Sequence, residues 1–118
     1  MHPLLIAFAL IATPAMPALA ASSFDGRWSV LIVTERGDCD RAYRYEVKVE
    51  NGNLKYDGEG GFDLSGAVAA NGAVNVAIGK GSQSATGRGR LTARGGQGSW
   101  QGRSANGACA GRWEAERR

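Results

Sequence analysis

The side chains able to do chemistry in this chain are few, and their types exclude more than they admit. Cys39 and Cys109 are the only cysteines and His2 is the only histidine. A cysteine nucleophile needs a neighbouring base or cation to hold it as thiolate. Two cysteines in a short exported chain instead predict a disulfide, Cys39–Cys109. Closing a loop of roughly 70 residues, such a bridge contributes at most about 4 kcal/mol through chain entropy. The remaining acid–base groups are carboxylates: Asp38 and Asp40 flank Cys39, and Asp57, Glu59 and Asp63 gather at a second glycine-rich stretch. Carboxylate pairs hydrolyse glycosides, but at such turns they are expected to be solvated caps. Gly79-Lys80-Gly81-Ser82 lacks the spaced glycine and the Lys-Ser/Thr step of a phosphate loop, so it is expected to be a hairpin turn. The Arg-Gly tract from Gly87 to Gly96 is only a weak match to RNA-binding segments, because it also carries a strand pattern. No catalytic residue, no metal site and no cofactor is expected, and the chain is not expected to be an enzyme.

Charge placement is more specific. From Leu64 to Trp113 there are basic residues (Lys80, Arg88, Arg90, Arg94, Arg103, Arg112) and no acidic ones, whereas the preceding half is rich in carboxylates. A patch of one sign attracts polyanions, so Lys80, Arg88, Arg90, Arg94 and Arg103 are the candidate anion-binding residues. Arg88 and Arg90 are expected on one outer face of a strand with Arg94 just beyond. The competing reading is a solvated face that protects a sheet edge from aggregation.

Residues 1–20 carry the pattern of a secretory signal. Leu4 to Ala12 is apolar but too short for a bilayer core, which needs about 20 residues. Pro14, Pro17 and the small-x-small run Ala18-Leu19-Ala20 follow, predicting cleavage after Ala20. The apolar run is preceded by no Lys or Arg, only by the amino terminus and His2. Cleavage removes His2 and both methionines, leaving residues 21–118 as a single domain without an imidazole. The expected location is periplasmic or secreted, with no transmembrane segment in the processed chain.

The elements that must position these residues are strands. Arg27 to Thr34 opens the pattern. Tyr43 to Glu50 then alternates Tyr43, Tyr45, Val47 and Val49 against Arg44, Glu46, Lys48 and Glu50, so one face is packed and the other wet. Asn51-Gly52 is a strong hairpin signal and leads to Leu54–Asp57; Phe62–Val68 follows. Asn71-Gly72 leads to Ala73–Ile78, then come Ser84–Thr92, a short strand around Trp100 after the turn-like Gly95-Gly96-Gln97-Gly98, and a last strand from Cys109. That is eight strands and no helix. Among 18 glycines, Gly66, Gly87, Gly89 and Gly111 fall at inward positions, where they allow sharp coiling; an interior space or close backbone approach to a ligand is the functional alternative.

All three tryptophans share one frame: Gly26-Arg27-Trp28, Gly98-Ser99-Trp100 and Gly111-Arg112-Trp113. The same frame at both ends of the pattern predicts that first and last strands meet. The expected fold is all-β, a small antiparallel up-and-down barrel closed by one disulfide, with Trp28, Trp100 and Trp113 as structural aromatics. Gly-x-Trp on the first strand followed by a meander resembles the lipocalin–avidin superfamily of ligand-binding barrels. The length and single disulfide resemble the small periplasmic metalloprotease-inhibitor barrels of Gram-negative bacteria. The closing segment, from Gly98-Ser99-Trp100 through Cys109 to Ala115, is similar to uncharacterised small exported proteins of alphaproteobacteria. The chain is shorter than a lipocalin or an avidin, so a deep cup is not expected; beside the disulfide, the inward glycines and the missing imidazoles, the tryptophan frame is expected to close a small packed barrel. The function expected is binding, to a protein or an anionic envelope surface, by a monomer. Protease inhibition and a structural envelope role are the alternatives.

Overall fold

The computed structural model describes residues 22–58 and 60–118. The expected leader and its cleavage site lie outside the described residues, as does Glu59. Eight strands follow one another around a closed antiparallel barrel: β1 (Gly26–Arg36), β2 (Ala42–Glu50), β3 (Asn53–Tyr56), β4 (Asp63–Val68), β5 (Ala73–Lys80), β6 (Gln83–Leu91), β7 (Gly95–Ser104) and β8 (Gly107–Arg117). Closure is made by β1 and β8, from Trp28↔Arg117 to Arg36↔Ala110, with a bulge between Thr34 and Arg36. The first and last strands meet, as the repeated tryptophan frame predicts. No helix of the described residues is long and apolar enough to cross a membrane.

The turns form for the reasons the sequence offers. Asn51 and Gly52 both take positive φ, 51° and 79°, the pattern of a two-residue type I′ hairpin. The Asn71-Gly72 turn is longer: the Ala69 N–H donates to Ala73 and the Gly72 N–H to Ala69, both at 2.8 Å. Strand β7 differs from expectation. It runs ten residues, and Gly95 to Gly98 belong to it rather than to a turn. Gly96, Gly98, Trp100 and Gly102 occupy its inward positions and exposed Gln97, Ser99 and Gln101 its outward ones. A strand whose inward face is mostly glycine carries no apolar alternation, so its sequence looks like a turn.

The two ends of the barrel differ. The 51–52, 69–72 and 92–94 turns share one end with residues 22–25, which close it. The Asp25 carboxylate accepts the N–H groups of Asn51 (2.9 Å) and Gly52 (3.1 Å). Trp28 Nε1 donates to the Phe24 carbonyl at 2.9 Å. Arg117 donates to the carbonyls of Ser23, Ala93 and Asp25, and its guanidinium lies 5.1 Å from the Trp28 ring. Phe24, Trp28, Val49, Leu54, Val68, Val74, Leu91, Trp113 and Ala115 are buried together above this floor. The other end, bearing the 37–41, 57–58, 60–62, 81–82 and 105–106 segments, is open. The seam between β3 and β4 is the weakest in the wall: one register pair, Asn53↔Ala67, against eight between β5 and β6.

Candidate binding cavity

Inside the barrel, above the floor, lies a cavity of about 460 Å³ that opens at the unplugged end. The expectation of a packed interior is therefore corrected, and the tryptophans supply the reason. In the β7–β8 ladder Gly98 stands opposite Trp113 and Trp100 opposite Gly111. A Cβ on Gly98 would lie 2.5 Å from Trp113 Cε2, and one on Gly89 2.5 Å from its Cζ2. The Trp113 indole thus crosses Gly98 against the wall, and its Nε1 donates to the Arg88 carbonyl of β6 at 3.2 Å. Trp100 runs the opposite way across Gly111, and its Nε1 donates to the Val33 carbonyl of β1 at 3.0 Å. Both rings lie along the wall, so the barrel axis stays open. The inward glycines do more than curve the strands: they seat the indoles.

The lining is apolar by chemistry as well as by residue type. All three indole N–H groups are satisfied by carbonyls. Among the described residues no buried side-chain nitrogen or oxygen lacks a partner. Val30, Ile32, Val47, Leu64 and Val76 make the middle of the chamber. A ligand there meets hydrocarbon and aromatic faces, with no directional donor to bind.

Towards the mouth the walls become aromatic and then polar. Tyr43, Tyr45 and Tyr56 alternate inward as expected, yet they form a rim rather than a core. Tyr43 is 46% exposed. Tyr43 stacks on Tyr45 at 5.7 Å, and Phe62 meets Tyr45 (5.4 Å) and Tyr56 (5.2 Å) edge to face. These rings bridge the β3–β4 seam from inside. A hydrogen bond to Asp40, and the negative charge there, hold the Tyr43 phenol above its ordinary value. Burial, and then the neighbouring phenols, push Tyr45 up.

The disulfide forms as expected between Cys39 and Cys109. It anchors the 37–41 loop to β8, so that Asp38, Cys39 and Asp40 become one side of the mouth. The candidate anion-binding residues are distributed over three places. Lys80 and Arg103 reach the mouth. Arg88 and Arg90 are exposed on the outer wall of β6. Arg94 sits in the turn at the closed end, where its carbonyl accepts the Arg117 N–H. The outer wall is mixed in sign: Arg112 pairs with Glu35 at 3.4 Å, and Gln97 alone separates Arg90 from Glu114 across the ladders. Of the second carboxylate group, Asp57 pairs with Arg27 at 3.4 Å and Asp63 starts β4 opposite Gly79.

The sequence contains a signal for the cavity. Two Gly-x-Trp frames on antiparallel neighbours pair each tryptophan with the other's glycine when either glycine faces either tryptophan. The frames are visible in the sequence; the register that makes them reciprocal is not. No protein-family description, curated protein or solved structure matches this chain, so what stands is a small eight-stranded antiparallel barrel with one disulfide.

Proposed function

We propose that the protein is a non-catalytic binding module that holds a small, largely apolar molecule inside its barrel. The observation that carries this reading is the open chamber of about 460 Å³ whose indole N–H groups are all spent on backbone carbonyls. That volume falls within the roughly 300–1,000 Å³ of small-molecule sites, which are likewise apolar with a few polar groups at one end. An exported setting, where a disulfide persists, fits the reading.

Native mass spectrometry of protein purified from its own source tests it. The expected result is one retained small molecule per chain, removed by organic extraction and replaced one-to-one by added dodecanol. A chain that carries nothing and takes up no dodecanol would overturn the reading.

A second reading concerns the outer wall. Arg88 and Arg90 are exposed there and have no ion pair among the described residues, which supports contact with an anionic envelope surface. Retention on heparin or lipopolysaccharide should then be lost in Arg88→Ala/Arg90→Ala. Undiminished retention would sink this second reading.

A further inference from the structure

We infer that the ligand is an amphiphile with an anionic head, a carboxylate or a phosphate, held at the mouth by Lys80, with the charge of Arg103 at the outer edge of the same rim. The inference rests on the cavity reading above and specifies its ligand class.

The register of β5 carries the argument. Val74, Val76 and Ile78 line the chamber, and a strand alternates faces with a period of two. Lys80 therefore occupies the next inward position, where a lysine has no packing role. Its ammonium is drawn over the mouth, 4.9 Å from the Phe62 ring centre. One other cation takes a comparable place at the opposite end of the barrel, and the contrast is informative. Arg117 donates to three carbonyls and covers Trp28, so it is spent on structure. Lys80 has no hydrogen bond or ion pair among the described residues, only the Phe62 face. Arg103, on β7 opposite Ser84, borders the mouth from the outward series of Gln97, Ser99 and Gln101, and it too has no carboxylate partner among the described residues. Lys80 is therefore the cation that faces the chamber, and Arg103 adds positive charge at the outer edge of the same rim.

Among the described residues that line the mouth, the acidic ones lie elsewhere. Asp38 and Asp40 come from the loop between β1 and β2, across the barrel from β6, and Asp40 is engaged with Tyr43. An anionic head is thus drawn to the β5–β7 side and held away from the β1–β2 side. Below the head, the inward positions of β1 from Trp28 to Thr34 span roughly 20 Å of strand, or about 15 Å along the axis at ordinary barrel tilt. That accommodates an extended alkyl chain of about a dozen carbons.

The experiment compares four probes of one chain length, dodecanoate, dodecyl phosphate, dodecanol and dodecylamine, by calorimetric titration of the full chain at neutral pH. At least one anion should bind about tenfold tighter than dodecanol, the scale of a charge-assisted hydrogen bond. Which anion is preferred distinguishes a carboxylate head from a phosphate head. In Lys80→Gln/Arg103→Gln the preference for the anion over dodecanol should disappear, and Lys80→Arg should keep it. Dodecanol binding as tightly as both anions, or dodecylamine binding tighter than both, overturns the inference and leaves the cavity reading standing. Failure of all four probes overturns both.

Discussion

Trp113 stands directly opposite Gly98 in the β7–β8 ladder, and its indole crosses that glycine to reach the Arg88 carbonyl one strand further on. Glycine is required there because a Cβ would lie 2.1 Å from the Arg88 carbonyl oxygen and 2.5 Å from Trp113 Nε1 and Cε2. The reciprocal pair, Trp100 over Gly111, repeats the arrangement in the opposite direction. Three tryptophans would ordinarily fill a barrel this small; in this one, two of them form its walls.

Gly98→Ala should therefore push the Trp113 ring off the wall and part β7 from β6 at the Arg88 carbonyl that accepts the indole N–H. Overpacking of this kind costs about 1–3 kcal/mol, which in a domain of this size lowers Tm by roughly 4–8 °C for each kcal/mol. Gly79→Ala is the control, because its Cβ would meet nothing closer than the Gln83 carbonyl oxygen at 3.6 Å. Thermal melts of the two variants check the difference. Equal melting temperatures would mean that the indole does not depend on its glycine seat.

At the closed end, Arg117→Met keeps an unbranched apolar stem but removes the donors to Ser23, Ala93 and Asp25 and the charge over Trp28. Losing charge-assisted hydrogen bonds and a cation–π contact should destabilise the fold by about 2–3 kcal/mol. Hydrogen exchange should show residues 22–25 losing protection first. Urea titration measures the global loss.

Replacing both cysteines by serine should lower stability by up to about 4 kcal/mol, the chain-entropy value for the 70-residue separation. The local effect is as informative as the global one. The 37–41 loop loses its tie to β8, so Tyr43 should become more mobile and probes should leave the cavity faster. Dissociation rates measured with and without reductant check this on the wild-type protein.

Acid should loosen the closed end. Burial pushes the Asp25 carboxyl up, but the Gly52 and Asn51 N–H groups and the Ser22 hydroxyl together outweigh it and hold it below its ordinary value. Glu50 is held low by Lys48 and Lys55, and Glu46 by Arg118. A carboxyl whose pKa is depressed on folding stabilises the protein above its unfolded pKa, about 3.9 for Asp and 4.3 for Glu, and that contribution is lost as pH falls through the folded value. Stability should be level near neutrality and decline below about pH 4, with a shallower decline in Asp25→Asn. Urea midpoints across pH 2–7 measure both slopes.

Much of the fold was legible because local and global signals agree. Alternation from Tyr43 to Val49 sets one strand's faces, Asn51-Gly52 sets a hairpin, and the cysteines and the repeated Gly-Arg-Trp tie the last strand to the first. Strand β7 is hidden in the sequence because inward glycines erase alternation. The hollow interior is hidden because whether an indole fills a core or lies along a wall depends on what faces it across the ladder. Arg117 looks like part of a charged tail until β8 is registered against β1, when it falls opposite Trp28. The expected grouping of Lys80, Arg88, Arg90, Arg94 and Arg103 follows their proximity in sequence, whereas the barrel separates them by end and by face.

Binding within the barrel requires that the chamber stay open. Ala85 lies on the cavity wall and is half-buried, so Ala85→Trp places an indole in the open chamber. Titration of wild type and Ala85→Trp with dodecanol, followed by tryptophan fluorescence, tests this requirement most directly. The expected result is saturable one-to-one binding to the wild type and at least about tenfold weaker binding to a variant that melts no lower. Equal affinity in the two proteins would place the ligand outside the barrel and overturn the proposed function.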